Sequence, residues 1–505
     1  MHGSGASGLR VRQTAQFGPG AFFRPNNIMI PSASPNLTIE PQTEGKSFPS
    51  GADAADFLKE SQSVSQQIAI EEARDHWDWI LSACIVIGFV ILTYEVYRVS
   101  AFSPLIQAAD EHHWMRFIVR PSMLWAIMGT VLLGFRTVLW FRYRPFASVG
   151  FDDAPSLTVI IPAYNEGEMV LNSIESAAQA VYPKDRLEIL VVDDGSKDDT
   201  WKYIQQAAER FPGRVTPIRF EKNRGKREAL AEGFAKARGE IVVTIDSDSV
   251  IEPTALLAIA GPFRDPEIGA VAGKVAVYNR RHGVIPRMLH VRYILSFDLL
   301  RAVESSYRTV YCCPGALTAY RTSAVRRVLK NWSTQTFLGV RCTYGEDRAL
   351  TNYILQSGFH TVYQRSAVVH TLAPQTYLKM CKMFLRWDRS YIREEIRFQS
   401  IVWKRPLGPR CIALCERLIT NIRYPVNYAA FFLLIYLVVG KPLMILRLMT
   451  AIGIMSFFSM LYFLRSERSL DFLYGILYAY FGFFTLFWIF PYAMLTLRSR
   501  SWMTR

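Results

Sequence analysis

Seven cysteines, at positions 84, 312, 313, 342, 381, 411 and 415, include no CxxC pair and no metal-ligand spacing. Cys411 and Cys415 stand one helical turn apart with no His or Cys cluster beside them, which suits packing rather than zinc. Reduced thiols of this kind fit a central region facing the cytosol. The chain also lacks a platform of interleaved basic and aromatic residues and any base-reading motif, so nucleic acid is not an expected partner. Its first residues have no apolar core of the signal-peptide type, and no cleaved leader is expected. Charged residues are sparse at 20%, yet lopsided: 58 Lys and Arg against 43 Asp and Glu give +15. Beside a bilayer, such an excess marks the cytoplasmic flank of the spans, or a groove for anionic substrates or headgroups.

Half of the 505 residues are apolar, and they cluster. Residues 1–70 are rich in Gly, Pro, Ser and Asn without a period, and disorder is expected there. Apolar runs at 79–97 and 122–141 have spanning length and predict two transmembrane helices within 75–145. Arg136 near the end of the second run is expected to snorkel or to face protein. Arg142 and Arg144 follow as a positive flank that places the next region, 150–375, inside the cell. Residues 376–422 open with an aromatic and basic stretch suited to helices lying at the membrane interface. Apolar runs then fill 423–505, ending at 440, covering 442–464, and covering 470–497. The last exceeds one crossing, and Pro491 is expected to split it, giving four elements in this bundle. A multi-pass protein of the plasma (inner) membrane with a cytosolic catalytic domain is the expectation.

Between the apolar regions the texture changes. LTVIIPAYNE, EILVVDDGS and IVVTIDSDS are β-branched runs ending in polar loops, separated by the helical stretches GEMVLNSIESAAQAV and REALAEGFAKA. That alternation predicts an α/β domain on a parallel sheet, whose ligands gather beyond the carboxyl ends of the strands. All three runs carry acidic or amide side chains at that edge. Asp193 and Asp194 can accept hydrogen bonds from a nucleotide, or simply close a turn. Asp246 and Asp248, one residue apart, can share Mg²⁺ or Mn²⁺, whose remaining positions would take diphosphate oxygens. Lys222, Arg224, Lys226 and Arg227 surround a glycine before a helix and offer phosphate contacts, or a solvated face. Asp347, in a polar turn beside Glu346, can take a proton from an attacking hydroxyl or cap the helix that follows.

Membrane spans around a metal–diphosphate domain suggest sugar transfer from a nucleotide donor. AYNE, VVDDGSKD, TIDSDS, NRGKREAL, CCPGALTAYR, QTFLGVRCTYGEDRALTN and RWDRSYIRE together resemble the membrane-bound family 2 glycosyltransferases, especially hyaluronan synthases, over roughly 75–505. The resemblance implies a GT-A type domain inserted between transmembrane helices. It implies Tyr164 and Glu166 in the donor pocket, Asp193 or Asp194 on uracil and ribose, and Lys226 and Arg227 beside the donor. Asp246 and Asp248 become the metal ligands, Asp246 also lining the nucleotide site. Gly315, Ala316 and Leu317 fall in the acceptor loop, Asp347 is the general base, Arg386 meets the diphosphate, and Trp387 stacks on the acceptor sugar.

The implied activity is processive, inverting polymerisation of UDP-GlcNAc and UDP-GlcA into hyaluronan, with the growing polysaccharide passing through the lipid bilayer. Chitin or chitin-oligosaccharide synthases, using UDP-GlcNAc alone, share nearly all of these motifs and are the alternative. One position departs from the family: MFLRW has Met383 where relatives carry the Gln of Gln-x-x-Arg-Trp. A thioether donates no hydrogen bond, so a lost Gln contact costs about 0.5–1.5 kcal/mol, enough to slow an enzyme without abolishing it.

Overall fold

The computed structural model describes residues 76–97, 106–107, 110 and 113–499; the segment 1–70, expected to be disordered, lies outside them. Two helices come first, α1 (His76–Tyr97) and α2 (Arg116–Arg142). The α/β region then runs β1 (Leu157–Ala163), α3 (Met169–Ala178), β2 (Leu187–Asp193), α4 (Thr200–Arg210), β3 (Val215–Arg219), α5 (Lys226–Lys236), β4 (Ile241–Ile245) and β5 (Ser249–Ile251). It continues through α6 (Ala255–Ala260), β6 (Ile268–Val277), α7 (Val284–Ile294), α8 (Ala302–Ser306), β7 (Leu317–Arg321), α9 (Thr322–Ser333), the short pair β8 (Thr336–Phe337) and β9 (Val340–Arg341), α10 (Glu346–Gln356) and β10 (His360–Thr371).

Eight strands form one sheet in the order β3-β2-β1-β4-β7-β6-β10-β5. The four strands from β3 to β4 are parallel, as the alternation predicts. Beyond them the sheet is mixed: β7 is antiparallel to both β4 and β6, and β5 to β10. Every residue of β1 and β4 is buried, which explains why both read as near-continuous apolar runs, each interrupted by one threonine, rather than alternating ones. A fully buried Val or Ile in such a strand stabilises the fold by about 1.5–3 kcal/mol. By contrast, β3 contains Pro217 and is half-exposed; it is tolerated because it lies at the sheet's edge.

After the sheet come α11 (Tyr377–Ile401), α12 (Leu407–Gly440), α13 (Met444–Ser466), α14 (Phe472–Thr485) and α15 (Ile489–Leu495). Thr376 caps α11 by accepting a hydrogen bond from the Lys379 amide at 3.4 Å. Helix α12 passes unbroken through the expected boundary at 422, Pro425 included, so the interface segment and the first C-terminal span share one helix. The expected split of the last apolar run occurs, but at residues 486–488 rather than at Pro491. The two pieces meet at 49°, and Pro491 sits in the first turn of α15, where its missing N–H costs nothing.

Among the described residues, four helices are long and apolar enough to cross a membrane, within α1, 113–142, α12 and α13, with the bent pair α14–α15 a fifth candidate. Polar contacts align their ends. Asp78 at the start of α1 pairs with Arg465 at the end of α13 at 2.8 Å. Arg136 of α2 faces protein: it pairs with Glu416 of α12 and donates to Thr420 Oγ1 at 3.1 Å. Glu467, just past α13, binds Arg280 and His290 of the α/β region at 2.5 and 2.8 Å. The far end of the bent pair returns to that region too, with Tyr344 Oη donating to the Ser499 carbonyl at 3.0 Å.

Candidate active site

The register Ala163 to Asp193 and Ile160 to Thr244 sets the carboxyl ends of β2, β1 and β4 side by side. At the first of these ends Asp193 is fully buried and Asp194 nearly so. Asp193 accepts from the Ser196 amide at 3.0 Å and pairs with Arg219 at 3.2 Å. Asp194 accepts from the Arg224 and Gly225 amides at 2.7 and 2.8 Å, clamping the loop before α5; burial is the main influence on its carboxyl and raises its pKa. Three of these four contacts are to backbone amides, as the turn reading of DDGS foresees. Lys222 and Arg224 are exposed on the loop so clamped. Tyr164 is 38% exposed beyond β1, and the Glu166 amide donates to Thr200 Oγ1 at 2.8 Å, so both stand at the strand ends.

The end of β4 is different. Asp246 and Asp248 are partly exposed, and Lys226, at the first position of α5, reaches over Asp246 Oδ1 at 2.5 Å and Glu346 Oε1 at 3.3 Å. Burial opposes the lysine's charge, but Asp246 and Glu346 outweigh it and hold its pKa above the usual lysine value. Gly315 lies against this group: a Cβ there would sit 3.1 Å from Lys226 Nζ and 3.2 Å from Asp246 Oδ1. Of the expected acceptor trio, Gly315 alone abuts the carboxylates. Ala316 is buried, and Leu317 is wholly buried in β7, paired with Ile245, because the strand begins there and turns its side chain into the core. Arg227 also departs from expectation. It is 3% exposed and donates to the Trp332 carbonyl and Gln335, since one residue along α5 from Lys226 the side chain points to the opposite flank.

Gly345, at φ 68°, turns the chain into α10 where a Cβ would strike Ser390 Oγ at 2.0 Å, and so delivers Glu346 and Asp347 to the same cavity. Lys226, Asp246, Gly315, Glu346 and Asp347 line it together, in a space of about 10 Å³. Neighbouring carboxyls are pushed apart. Burial and the charge of Glu346 raise Asp347, while for Glu346 burial is overcome by Lys226 and Arg227, which hold it low. Asp347 also meets the Cys312 thiol at 3.8 Å and the Arg348 amide at 2.7 Å. Two such environments suit one carboxylate for proton transfer and one for permanent charge.

A divalent cation fits the donor set at β4. Asp246 and Asp248 are hard oxygen donors one residue apart, and Asp246 already holds a cationic ammonium. Among the described residues the one group of three or more candidate ligands lies elsewhere, at His290, Glu467 and Asp471, so the β4 pair would need oxygens from its substrate to complete a cation's shell.

On α11, Met383 and Trp387 share a face one turn apart. Met383 is buried and its sulfur accepts from Tyr293 Oη at 3.8 Å. Trp387 is 36% exposed, its ring 6.1 Å from Tyr293 and 5.6 Å from Phe384, which leaves one flank open to a ligand. Arg386 is near enough to influence both Glu346 and Tyr293 electrostatically, and Asp248 also acts on Tyr293. Tyr293 packs against Met383 and Trp387 of the MFLRW helix within electrostatic range of Asp248, a position that no spacing in LHVRYILSF announces. Asp388, next to Trp387 in the chain, carries a carboxyl that burial pushes up to about 6.

Residues 158–329 match the family model described as glycosyl transferase family 2. An N-acetylglucosaminyltransferase of Rhizobium leguminosarum bv. viciae is 35% identical over 50% of this chain and 59% of its own length, so the chain spans little more than half of that relative. A hyaluronan synthase of Streptococcus pyogenes is 29% identical over 75% of this chain and 90% of its own. Among solved structures, a mannosyltransferase from Pyrobaculum calidifontis in complex with GDP-Man and Mn²⁺ superimposes with a TM-score of 0.51 at 21% identity, covering 72% of this chain and 99% of that one. The α/β region therefore has a GT-A type fold flanked by long apolar helices; its residues 158–329 are similar to family 2 glycosyl transferases, and the chain is similar at moderate identity to hyaluronan synthase sequences.

Proposed function

We propose that the chain is a membrane-embedded, inverting sugar polymerase that joins UDP-GlcNAc and UDP-GlcA into hyaluronan and passes the product across the plasma (inner) membrane, with the GT-A domain on the cytosolic side. The observation that carries this reading is the convergence of Lys226, Asp246, Glu346 and Asp347 beneath Gly315, with Trp387 open on the neighbouring helix. Arg142, Arg144, Arg465 and Arg468 crowd the membrane ends nearest the GT-A domain, which supports the orientation.

In this reading Tyr164 and Glu166 border the nucleotide, and Lys226 and Arg386 face the diphosphate. A divalent cation, Mg²⁺ or Mn²⁺, on Asp246 and Asp248 would supply charge neutralisation at the leaving diphosphate. Trp387 orients the terminal acceptor sugar by stacking. Asp347, raised in pKa and partly exposed, takes the proton of the acceptor hydroxyl. The hydroxyl oxygen bonds to the anomeric carbon as the bond from that carbon to the diphosphate breaks, and UDP departs with the electron pair. One displacement inverts the anomeric centre, and no covalent enzyme intermediate is required.

A second reading, a chitin-type polymer made from UDP-GlcNAc alone, is favoured by the 35% identity to the Rhizobium N-acetylglucosaminyltransferase. Release of UDP by the purified protein in lipid vesicles, with Mg²⁺ or Mn²⁺ and each donor alone or both, separates the two. Turnover that needs both donors and gives a hyaluronidase-sensitive polymer is the expected result. Robust polymer from UDP-GlcNAc alone selects the second reading, and silence in every combination, with Met383→Gln also silent, defeats both.

A further inference from the structure

At the far end of α10 from Asp347 lies a cavity of about 810 Å³, bounded by α9, the β8 turn, the end of α10 and the outer face of α11. Its volume is that of a small-molecule site. Arg327, Arg393, Arg397 and Lys404 line it and no carboxylate does. Glu394 is buried behind the wall, where it meets Arg393 Nε at 3.0 Å and lies 3.8 Å from Arg397 Nη1. The lining itself therefore carries four cations and no acid, with Glu394 behind two of them. A concave surface with such an excess concentrates field and favours anions that accept several charge-assisted hydrogen bonds.

Two wall residues lead back to the active site. Arg393 donates through Nη2 to the Tyr344 carbonyl at 2.7 Å, and Tyr344 directly precedes the Gly345 turn that delivers Glu346 and Asp347. Gln335 donates to Glu394 at 2.8 Å and accepts from Arg227, the neighbour of Lys226, at 3.1 Å. We propose that this cavity is a second, regulatory site for a phosphate-bearing anion, coupled through Arg393 to the turn that positions Asp347. The anion's phosphate draws the Arg393 and Arg397 guanidinia outward in competition with Glu394, and the Tyr344 carbonyl moves with them. Two sources of that chemistry exist. A soluble phosphate compound enters from the aqueous side. A lipid headgroup enters past Ile396, Trp403 and Leu407, which are 56%, 61% and 71% exposed beside the cationic wall.

Binding is separable from the transferase reading, because it is measured without turnover. The full chain is placed in phosphatidylcholine nanodiscs, and hydrogen–deuterium exchange is followed while inorganic phosphate is titrated; a parallel sample uses discs containing phosphatidylglycerol and no phosphate. Protection of segments 327–336 and 393–404 is expected in at least one arm, and the responding arm identifies the source. Arg327→Gln with Lys404→Gln removes two exposed cations while leaving the Arg393–Glu394 pair intact, and should weaken the response at least about tenfold. The coupling predicts that exchange at 344–347 changes together with the wall. Absence of protection in both arms, or protection equal in the double variant, overturns the site. Protection of the wall with 344–347 unchanged overturns the regulation.

Discussion

The carboxylate pairs Asp193/Asp194 and Asp246/Asp248 end β2 and β4, the two strands that flank β1, and in sequence they look like the same device. Their side chains meet different surroundings. Asp193 has no exposed side-chain surface, whereas Asp246 keeps 28%. Beyond β2, the chain supplies amides at Ser196, Arg224 and Gly225 and a guanidinium at Arg219, and the carboxylates are consumed in closing those loops. Beyond β4, the chain turns at once into β5, and the cation that meets Asp246 is a lysine side chain that a ligand can displace. A carboxylate at a strand end therefore becomes structural or chemical according to what the next loop offers it.

The strongest way to break this contrast is to neutralise each pair. Asp246→Asn should lower UDP release by about 10²–10³-fold while the melting temperature stays close to the parent's, because a partly exposed carboxylate is lost and its lysine partner can turn to Glu346. Asp347→Asn should cost a comparable 10²–10⁴-fold as the proton acceptor disappears. Asp194→Ala should act on stability instead, losing about 2–4 kcal/mol in denaturant melts, since two amides are left without an acceptor. A folded, fully stable Asp194→Ala protein that had lost donor binding would erase the distinction.

A finer test uses Asp388, whose carboxyl is pushed up to about 6 by burial against an ordinary value of 3.8. A carboxyl raised in the folded state binds its proton more tightly there, so the stability it lends is present below pH 3.8 and is lost as pH rises through 6. Asp388→Asn should therefore melt higher than the parent at pH 7.5 and alike at pH 4, with the gap opening above pH 4 and complete just above pH 6. Smallest is Met383→Gln: it restores a donor beside Tyr293, and turnover should change only by about two- to tenfold, read as a change in the UDP release rate.

Much of this was legible in the chain. LTVIIPAYNE, EILVVDDGS and IVVTIDSDS gave away the parallel half of the sheet because buried strands need unbroken apolar runs, and the long apolar segments set the spans by length alone. The antiparallel strand β7 was not readable, since pairing direction depends on partners far away in sequence. Nor was β3, whose Pro217 argues against a strand until its edge position is known. In the site, Asp246 stood out by its spacing from Asp248, and Asp347 and Trp387 by the resemblance of their motifs, whereas Arg227 resembled Lys226 and differs from it in the flank to which its helix turns it.

What the sequence determined by itself is the inventory: membrane-length apolar helices, an α/β domain between them, and acids at strand ends. Those follow from local rules of hydropathy, periodicity and turn chemistry that act over a few residues. Tertiary structure decided which acids are buried against backbone and which remain partly exposed, that Tyr293 meets Met383 within electrostatic range of Asp248, and that Arg393 holds the turn before Asp347. Burial and partnership are properties of segments brought together from tens or hundreds of residues apart, and no local pattern records them.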